Sequence, residues 1–484
     1  MRNKGHKVHE IYFKDWINNY LEWPSETEIN NFIELLRHTQ TQIVLISLRC
    51  SAYHKVTAYL TGIIRDRLGL PVIWGGLHPT LCPEDSIKDV DIICRGEAER
   101  TLPEIIEAIE QGRDYKTVPG FWIKKGGQIY KNDVASLIPE LDVLPFRDYE
   151  HPDKYRIQED FIIQGDPQVN DPVYLMMTSR GCVYSCSYCY NSTLKNEIFA
   201  GKGSYYRTMR VDTVIEELKR AKKLFKNLKR IKFDDEVFPF KKEWIDEFCE
   251  KYKKEINLPF EMFTEPKLVE EEYLAKLKKA GLKIIYMGVQ NSEKINEILY
   301  DRNTSNDTVL SAVNIMRKLK LDARYQVIVD DPLSTDQDKI GLVEFLMKFP
   351  RPFELYLFSL TVYPNTKLAE KLISMGIISE NQIEGRATKT FQQLRVDLSY
   401  PRGAEDIFML SIMILLTKGF IPKALIRFLY KRPFFRKHTV FLTLLAKAAN
   451  IIKMTYTVFF MILKGEFTYT LFTRWMNPKS LVSQ

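Results

Sequence analysis

Arg180-Gly181-Cys182-Val183-Tyr184-Ser185-Cys186-Ser187-Tyr188-Cys189-Tyr190-Asn191 sets three cysteines at C-x3-C-x2-C. It follows the apolar run Val173-Tyr174-Leu175-Met176-Met177, which reads as a buried strand. Iron–sulfur clusters are held by cysteine thiolates, and a cubane ordinarily takes four. Three local thiolates leave one iron with an open position, the feature that separates a reactive metal site from a structural one. On spacing alone, a zinc site short of its fourth ligand and three unrelated buried cysteines stand beside the cluster as readings.

In these residues the stretch resembles the cluster loop of the radical S-adenosylmethionine (SAM) enzymes, which carry an aromatic just before the last cysteine, here Tyr188. The resemblance implies a loop after the first strand of a barrel, with Cys182, Cys186 and Cys189 as ligands of a [4Fe-4S] cluster. It implies that the open iron chelates SAM, and that the reduced cluster cleaves SAM to a 5′-deoxyadenosyl radical. In such systems the cofactors carry the radical chemistry while the protein binds, orients and shields.

Outward from the loop, strands and helices alternate from Val173 to about Leu372. Strands are expected at Tyr174–Thr178, Arg230–Asp234, Phe260–Thr264, Lys283–Gly288, Arg324–Val329 and Leu355–Leu360. Six βα units suit an open, partial barrel, with active groups on the loops after the strand ends. The second strand runs into Phe233-Asp234-Asp235-Glu236, and the fourth into Gly288-Val289-Gln290-Asn291-Ser292. Tyr300-Asp301-Arg302 comes next, and the sixth strand ends in Thr361-Val362-Tyr363-Pro364. By resemblance, Asp235 receives the SAM amino group, as a carboxylate beside an ammonium would. Gln290 and Arg302 then make polar contacts to SAM, and Tyr188 and Tyr363 flank the adenine. The plain alternatives are a helix cap, a solvated charge and a turn.

Upstream, Val8–Phe13, Gln42–Ser47, Pro71–Trp74 and Val90–Cys94 read as strands, separated by helices at Glu26–His38 and Val56–Leu68 and followed by one at Leu102–Gln111. This alternation predicts a doubly wound parallel sheet, with ligands at the carboxyl ends of its strands. Those ends carry Ser47, Gly75-Gly76-Leu77-His78-Pro79-Thr80 and Arg95-Gly96-Glu97-Ala98-Glu99. The order and these two stretches resemble the cobalamin-binding domain that precedes the radical SAM barrel in one branch of the superfamily. Ser47, Gly75, Gly76, Gly96 and Glu97 are then the expected cobalamin contacts; His78 is not assigned to cobalt. One departure is that the family's domain opens with a further strand, between those matching Val8–Phe13 and Gln42–Ser47. The sheet closing up without it, a misplaced start and loss of cobalamin binding are the outcomes this leaves.

Val118–Ile123 and Gly126–Tyr130 read as a hairpin, followed by Leu141-Asp142-Val143-Leu144-Pro145-Phe146 and a proline-rich connector to Pro172. The expected divisions are 1–117 for the cobalamin-binding-like domain, 118–172 for hairpin and linker, 173–375 for the barrel and 376–484 for a helical, basic and hydrophobic tail.

At 484 residues with 45% hydrophobic composition, the chain is long enough for two or three domains. Its 7 cysteines form no paired pattern beyond the triplet, which argues for a reducing cytoplasm. From Lys418 to Gln484 stand 12 Lys/Arg against one acid, Glu466, a balance of +11 against +8 for the whole chain. The basic surplus therefore belongs to the tail. Its uncharged runs of about ten residues are half a bilayer span, so no transmembrane helix is expected. An interfacial anchor at the inner face of the membrane and a helical cap over the barrel are the two readings. Nucleic acid is disfavoured because no binding module is recognisable.

Taken together, the residues and the resemblance describe a cytoplasmic radical SAM enzyme with a [4Fe-4S] cluster, SAM and cobalamin. The reaction implied is methylation of an unactivated carbon or a phosphorus in a small-molecule or lipid substrate, fed by an electron donor such as flavodoxin or ferredoxin. A cobalamin-independent cyclisation, rearrangement or oxidation, and a non-catalytic Fe–S electron carrier, are the competing functions.

Overall fold

The computed structural model of the chain describes residues 1–13, 23–158, 160–380, 383 and 403–463. It divides into two compact units. The first takes in Met1–Pro172, Ser179–Leu228 and Thr361–Thr390; the second takes in Val173–Thr178, Lys229–Leu360 and Phe391–Gln484.

The first unit begins with β1 (Glu10–Phe13), α1 (Glu26–His38), β2 (Val44–Ser47), α2 (His54–Leu68) and β3 (Val72–Gly75). Then come α3 (Leu77–Leu81), α4 (Pro83–Asp89), β4 (Ile92–Cys94), α5 (Thr101–Glu110), β5 (Phe121–Lys125) and β6 (Gln128–Lys131), followed by β7 (Lys154–Gln158) and β8 (Phe161–Gln164). Helix α1 starts where the sequence supplies a capping box: Ser25 accepts from the Glu28 amide while Glu28 reaches back to the Ser25 amide, satisfying two orphan donors.

The main sheet has the order β2-β3-β4-β5-β6, with β2, β3 and β4 parallel and β5 and β6 added antiparallel. Its central strands β3 and β4 are apolar on both faces, as strands covered on two sides must be. Val72, Trp74, Ile93 and Trp122 join a core with Phe32 and Leu36 of α1, Ile64 of α2 and Ile87 of α4. Ile73, Ile92, Phe121 and Ile123 point the other way, onto Ile105 and Ile106 of α5. The doubly wound arrangement is therefore present, and the hairpin completes the sheet.

Strand β1 differs from expectation. It pairs in parallel with β7, which pairs with β8 in a separate three-stranded sheet. The proline-rich connector thus holds two strands that sequence reading passed over. Ile11 and Phe13 of β1 still pack on the core that Val44 and Trp74 share. Among the described residues β2 is an edge strand.

The second unit opens with β9 (Val173–Met176). The chain then passes through first-unit elements: β10 (Ser179–Arg180), α6 (Tyr190–Thr193), β11 (Arg207–Thr208) and α7 (Val211–Leu224). It returns with β12 (Arg230–Phe233), α8 (Lys242–Glu255), β13 (Phe260–Thr264), α9 (Glu271–Ala280), β14 (Leu282–Gln290) and α10 (Glu293–Ile298). There follow α11 (Asn306–Lys318), β15 (Asp322–Val329), α12 (Asp336–Leu346) and β16 (Glu354–Ser359). The sheet order is β9-β12-β13-β14-β15-β16, all parallel. Sequential order without reversal is that of a barrel rather than an open doubly wound sheet. One strand face (Ile231, Phe233, Met262, Ile285, Met287, Tyr325, Val327) is buried. The other face carries Lys232, Glu261, Tyr286 and Arg324, tied together as Arg324 Nη1 donates to Tyr286 Oη (2.9 Å) and Tyr286 Oη donates to Glu261 Oε2 (3.0 Å).

In the first unit α13 (Lys367–Ser374) follows. The second unit closes with α14 (Ala404–Leu416), α15 (Lys423–Lys431), α16 (Pro433–Lys437) and α17 (Thr439–Leu463). Helix α14 is buried almost all round, as its apolar composition requires: Phe408, Ile412 and Leu415 are inaccessible. The cap is pinned to the barrel elements by Lys453 to Glu354 (2.6 Å), Lys339 to Asp406 (2.6 Å) and Lys423 Nζ donating to the Phe349 carbonyl (2.8 Å). No described helix is long and apolar enough to cross a membrane.

Candidate active site

The cysteine loop is shaped by its first glycine. Gly181 has φ +85°, and a Cβ there would fall 2.2 Å from the Tyr205 carbonyl oxygen, so only glycine lets the chain turn. Behind it the Cys189 amide donates to the Cys186 carbonyl (3.1 Å), and Cys189 then caps α6. Lys195 Nζ donates to the Val183 carbonyl (2.7 Å) and the Leu368 amide to the Ser187 carbonyl (3.0 Å). The three cysteines are half-buried.

Among the described residues no three His, Cys, Asp or Glu side chains converge tightly enough for a single ion. Three half-buried cysteine sulfurs on one loop are a donor set that suits an iron–sulfur cluster. Asn191 Nδ2 points at Cys189 Sγ (3.7 Å) and is itself fixed by the Tyr205 hydroxyl, which donates to Asn191 Oδ1 (2.6 Å). A donor on a cluster sulfur tunes its potential. Asn191 lies two residues past the triplet, and adjacency was the signal by which it could have been found.

Tyr363 is drawn to the same place. Burial, followed by the thiolate charges of Cys50 and Cys189, pushes its hydroxyl up to about 12, so the ring is a neutral phenol beside the loop. Tyr188 is half-buried between Ser187 and Cys189. Next to Tyr363, Asn365 Nδ2 donates to the Leu81 carbonyl (2.6 Å), and Thr193 Oγ1 donates to the Asn365 carbonyl (2.8 Å). Leu81 and Cys82 at the end of α3 share a buried cluster with Leu194 and Phe199 beyond α6. The cysteine loop and the Gly75–Thr80 loop thus rest on one core.

The cobalamin-side residues divide into two kinds. Ser47 is exposed at the end of β2, in register with Gly75, where a Cβ would meet only ordinary contact with Cys94 at 3.7 Å. Gly76, Gly96 and Glu97 are committed within the protein. A Cβ on Gly76 (φ +100°) would fall 2.9 Å from the Leu48 carbonyl oxygen, and one on Gly96 3.0 Å from Phe199. At Gly76 the close approach is made by the backbone of Leu48. Glu97 takes Arg207 Nη2 at 2.7 Å, Arg180 Nη1 at 3.1 Å and the Ile138 amide at 3.0 Å. Burial works against its charge, but the Arg207 hydrogen bond and the other partners hold its carboxyl below the usual range. These bonds tie Glu97 to the base of the cysteine loop. His78 donates or accepts through Nδ1 at Ser51 Oγ (2.8 Å), and burial, then His54, lowers its pKa to about 4.

In the second unit, Asp235 is buried and turned to Thr178: the Thr178 amide donates to Oδ1 (2.8 Å) and the Thr178 hydroxyl lies within reach of both oxygens (3.1 and 3.2 Å). Asp235, the residue expected to take the SAM amino group, thus has both carboxylate oxygens engaged by Thr178. Asp234, 44% exposed, is held by Lys232 Nζ at 2.9 Å and offers open carboxylate surface. Gln290 ends β14 at φ +65°, past a register shift between Gly288 and Gln290. A Cβ on Gly288 would fall 2.4 Å from Gln290 Nε2 and 3.3 Å from Arg302 Nη2, so the strand end is glycine because two polar side chains cross it. Arg302 Nη2 donates to the Gly288 carbonyl (2.7 Å) and pairs with Glu265. Burial pushes Glu265 up against the pull of Arg302. Glu265, just past β13, escaped sequence reading because it matches no motif; its position at a strand end was the available signal.

Residues 176–346 match the radical SAM superfamily and residues 1–106 match the B12 binding domain. A curated relative, an uncharacterized methyltransferase of Pyrococcus horikoshii, is 26% identical over 358 residues, spanning 72% of this chain and 73% of its own. Among solved structures, the radical S-adenosylmethionine methyltransferase TsrM from Kitasatospora setae, with tryptophan and a SAM analogue bound, superposes with a TM-score of 0.60. Its identity is 15%, over 72% of this chain and 68% of its own. The cobalamin-dependent S-adenosylmethionine radical enzyme OxsB, with aqua-cobalamin and SAM bound, gives a TM-score of 0.63 at 14% identity, over 98% of this chain and 84% of its own. At such identities the likeness to the solved structures is one of fold. The two domain matches fall where the Gly75–Thr80 loop and the cysteine triplet stand, so the chain pairs a B12-binding domain with a radical SAM domain.

Proposed function

We propose that this chain is a cobalamin-dependent radical SAM methyltransferase acting on an unactivated carbon or a phosphorus. The observation that carries the reading is the common core of the cysteine loop and the Gly75–Thr80 loop, through Leu81, Cys82, Leu194 and Phe199. An enzyme working without a corrin has no need to hold those two loops as one piece. When bound, the cluster supplies the electron that opens SAM, and cobalamin carries the methyl group.

In this reading Cys182, Cys186 and Cys189 hold the cluster, Asn191 donates to the Cys189 sulfur, and Tyr188 and Tyr363 flank the adenine. Asp234 receives the SAM amino group, with Asp235 positioning it through the backbone, and Gln290 and Arg302 serve the remaining polar groups of SAM. Ser47 and Gly75 form the floor for the corrin. A small-molecule or lipid substrate, a one-electron donor of the flavodoxin or ferredoxin kind, and a cytoplasmic location with peripheral membrane contact complete it.

Anaerobic reconstitution with iron, sulfide and hydroxocobalamin tests the reading. About one corrin per chain is expected by absorbance, and Ser47→Trp, at an exposed strand end, should abolish its uptake while the cluster remains. A chain that takes up no corrin yet forms 5′-deoxyadenosine would be the cobalamin-independent enzyme instead.

A further inference from the structure

The outer face of the C-terminal helices is the largest feature that the catalytic reading leaves unused. Sequence and structure agree on its chemistry. From Lys418 to Leu463 the chain carries nine Lys/Arg and no Asp or Glu. Some of these cations face inward, as Lys453 does to Glu354 and Arg436 to Glu405 (3.4 Å). Arg427, Lys431, Arg432, Lys437 and Lys447 are exposed, and among the described residues none has an acidic partner.

Large apolar side chains stand between them. On α15 the buried face is Ile426, Leu429 and Tyr430, which leaves Leu425 and Phe428 outside, with Arg432 over the Phe428 ring at 4.9 Å. On α16 Phe434 is 60% exposed. Its ring meets Phe435 at 5.3 Å, which in turn meets Phe441 of α17 at 5.7 Å. A cavity of about 480 Å³ lies at this junction, lined by Phe434, Phe435, Val440 and Phe441 together with Lys437 and His438. Further along α17, among the described side chains, only the Leu442, Ala446 and Ala449 stripe is buried; Ile452, Tyr456, Phe459 and Leu463 are more than half exposed. An apolar surface of this extent on a soluble domain marks an interaction site.

Resting on the membrane contact in the reading above, we infer that the outer face of α15, α16 and α17 docks on an anionic phospholipid surface. Three observations select that occupant. The cations have no acids among them, which suits the negative surface of a cytoplasmic leaflet. They stand on long stems beside aromatic and aliphatic side chains, the composition of a helix lying in an interface. The uncharged end of α17, Met454 to Leu463, is ten residues, about 15 Å at 1.5 Å per residue. That is about half of a hydrocarbon core of roughly 30 Å, enough to enter one leaflet and too little to cross. The cavity beside Lys437 adds a place where an anionic headgroup and an apolar chain meet their complements together.

Flotation of the reconstituted full chain with phosphatidylcholine vesicles, with and without phosphatidylglycerol, tests the inference. Binding is expected to the anionic vesicles only and to weaken with added salt. Arg427→Glu/Lys431→Glu/Lys437→Glu should lower the partition coefficient about a hundredfold or more, at roughly a tenfold change or less per charge removed. Phe434→Ser/Tyr456→Ser/Phe459→Ser should abolish partition, and both variants should melt and form 5′-deoxyadenosine in solution as the parent does. Equal binding to neutral vesicles, or anionic binding that both variants retain, overturns it. So does a parent that dimerises without lipid while the variants stay monomeric, because the face would then join two copies of the chain. Vesicle partition needs neither cluster nor corrin, so its failure is distinct from failure of the enzymatic reading.

Discussion

Asp235 gives both carboxylate oxygens to Thr178, joining the end of the first barrel strand to the end of the second. The bond network locks the backbone that presents Asp234, whose own carboxylate is open apart from Lys232. Asp235→Ala would strand a buried amide and hydroxyl, at about 1–3 kcal/mol. A lowered melting temperature and weakened SAM binding should both follow. Asp234→Asn should leave the melt unchanged and weaken SAM binding alone, by about 1–3 kcal/mol for a hydrogen bond to a charged group. Paired melts and titration calorimetry with SAM separate the two; equal SAM affinity in Asp234→Asn removes that residue from the site.

Asn191→Ala takes away the donor at 3.7 Å from Cys189 Sγ. Loss of a hydrogen bond to a cluster sulfur makes reduction harder. The midpoint potential in an electron-spin-resonance titration should fall and SAM cleavage should slow by about 10–100-fold, the usual scale for an outer partner of a metal site. Iron content should hold at the parental value. An unchanged potential would mean that the contact is structural only.

Gly181→Ala should prevent the cysteine loop from forming, since the new methyl would collide with the Tyr205 carbonyl. Reconstituted iron is expected to drop sharply. Gly341→Ala, where a Cβ meets nothing within 4 Å, is the matched control and should retain full iron while gaining up to about 1 kcal/mol in helix stability. Iron analysis of the two variants checks the contrast.

Much of this architecture was legible from periodicity. The helix over Glu26–His38 and the strand over Phe260–Thr264 are those the sequence predicted, because a capping box and a short segment rich in large apolar residues, Phe260, Met262 and Phe263, carry their own boundaries. The connector strands β7 and β8 were not legible. Lys154-Tyr155-Arg156-Ile157 lacks an apolar run, and β7 is ordered by long-range partners, Lys154 to Asp166 at 2.9 Å and β1 beside it. At the site, residue types were readable and orientations were not. Asp234 and Asp235 are adjacent just past β12, yet one side chain turns to Thr178 and the other to Lys232. Around Gly76 and Glu97 the motifs were readable, while the nearness of the Leu48 backbone and of Arg207 comes from chain packing over long sequence distances.

His78 gives a pH dependence of known sign. Its folded pKa of about 4 lies below the unfolded 6.5 because the ring is buried and sits near His54. The unfolded chain therefore binds the proton first. Stability is full above about pH 6.5 and falls as the pH is lowered toward 4, by roughly 2–3 kcal/mol over that window at 1.36 kcal/mol per unit. Denaturant titrations of the apo-chain between pH 7 and 4.5 should show this slope, and His78→Asn should flatten it. A slope identical in both would assign the acid sensitivity to other groups.

The central claim is that Cys182, Cys186 and Cys189 hold a cluster that cleaves SAM. Its most direct test is the 5′-deoxyadenosine formed under anaerobic reduction by the reconstituted parent and by the Cys182→Ala/Cys186→Ala/Cys189→Ala chain. The parent should form it and show the electron-spin signal of a reduced cubane; the triple variant should keep its fold and show neither. A variant that retains both would place the cluster on Cys50, Cys82, Cys94 or Cys249, and a parent that holds the cluster yet forms no 5′-deoxyadenosine would be an electron carrier rather than an enzyme.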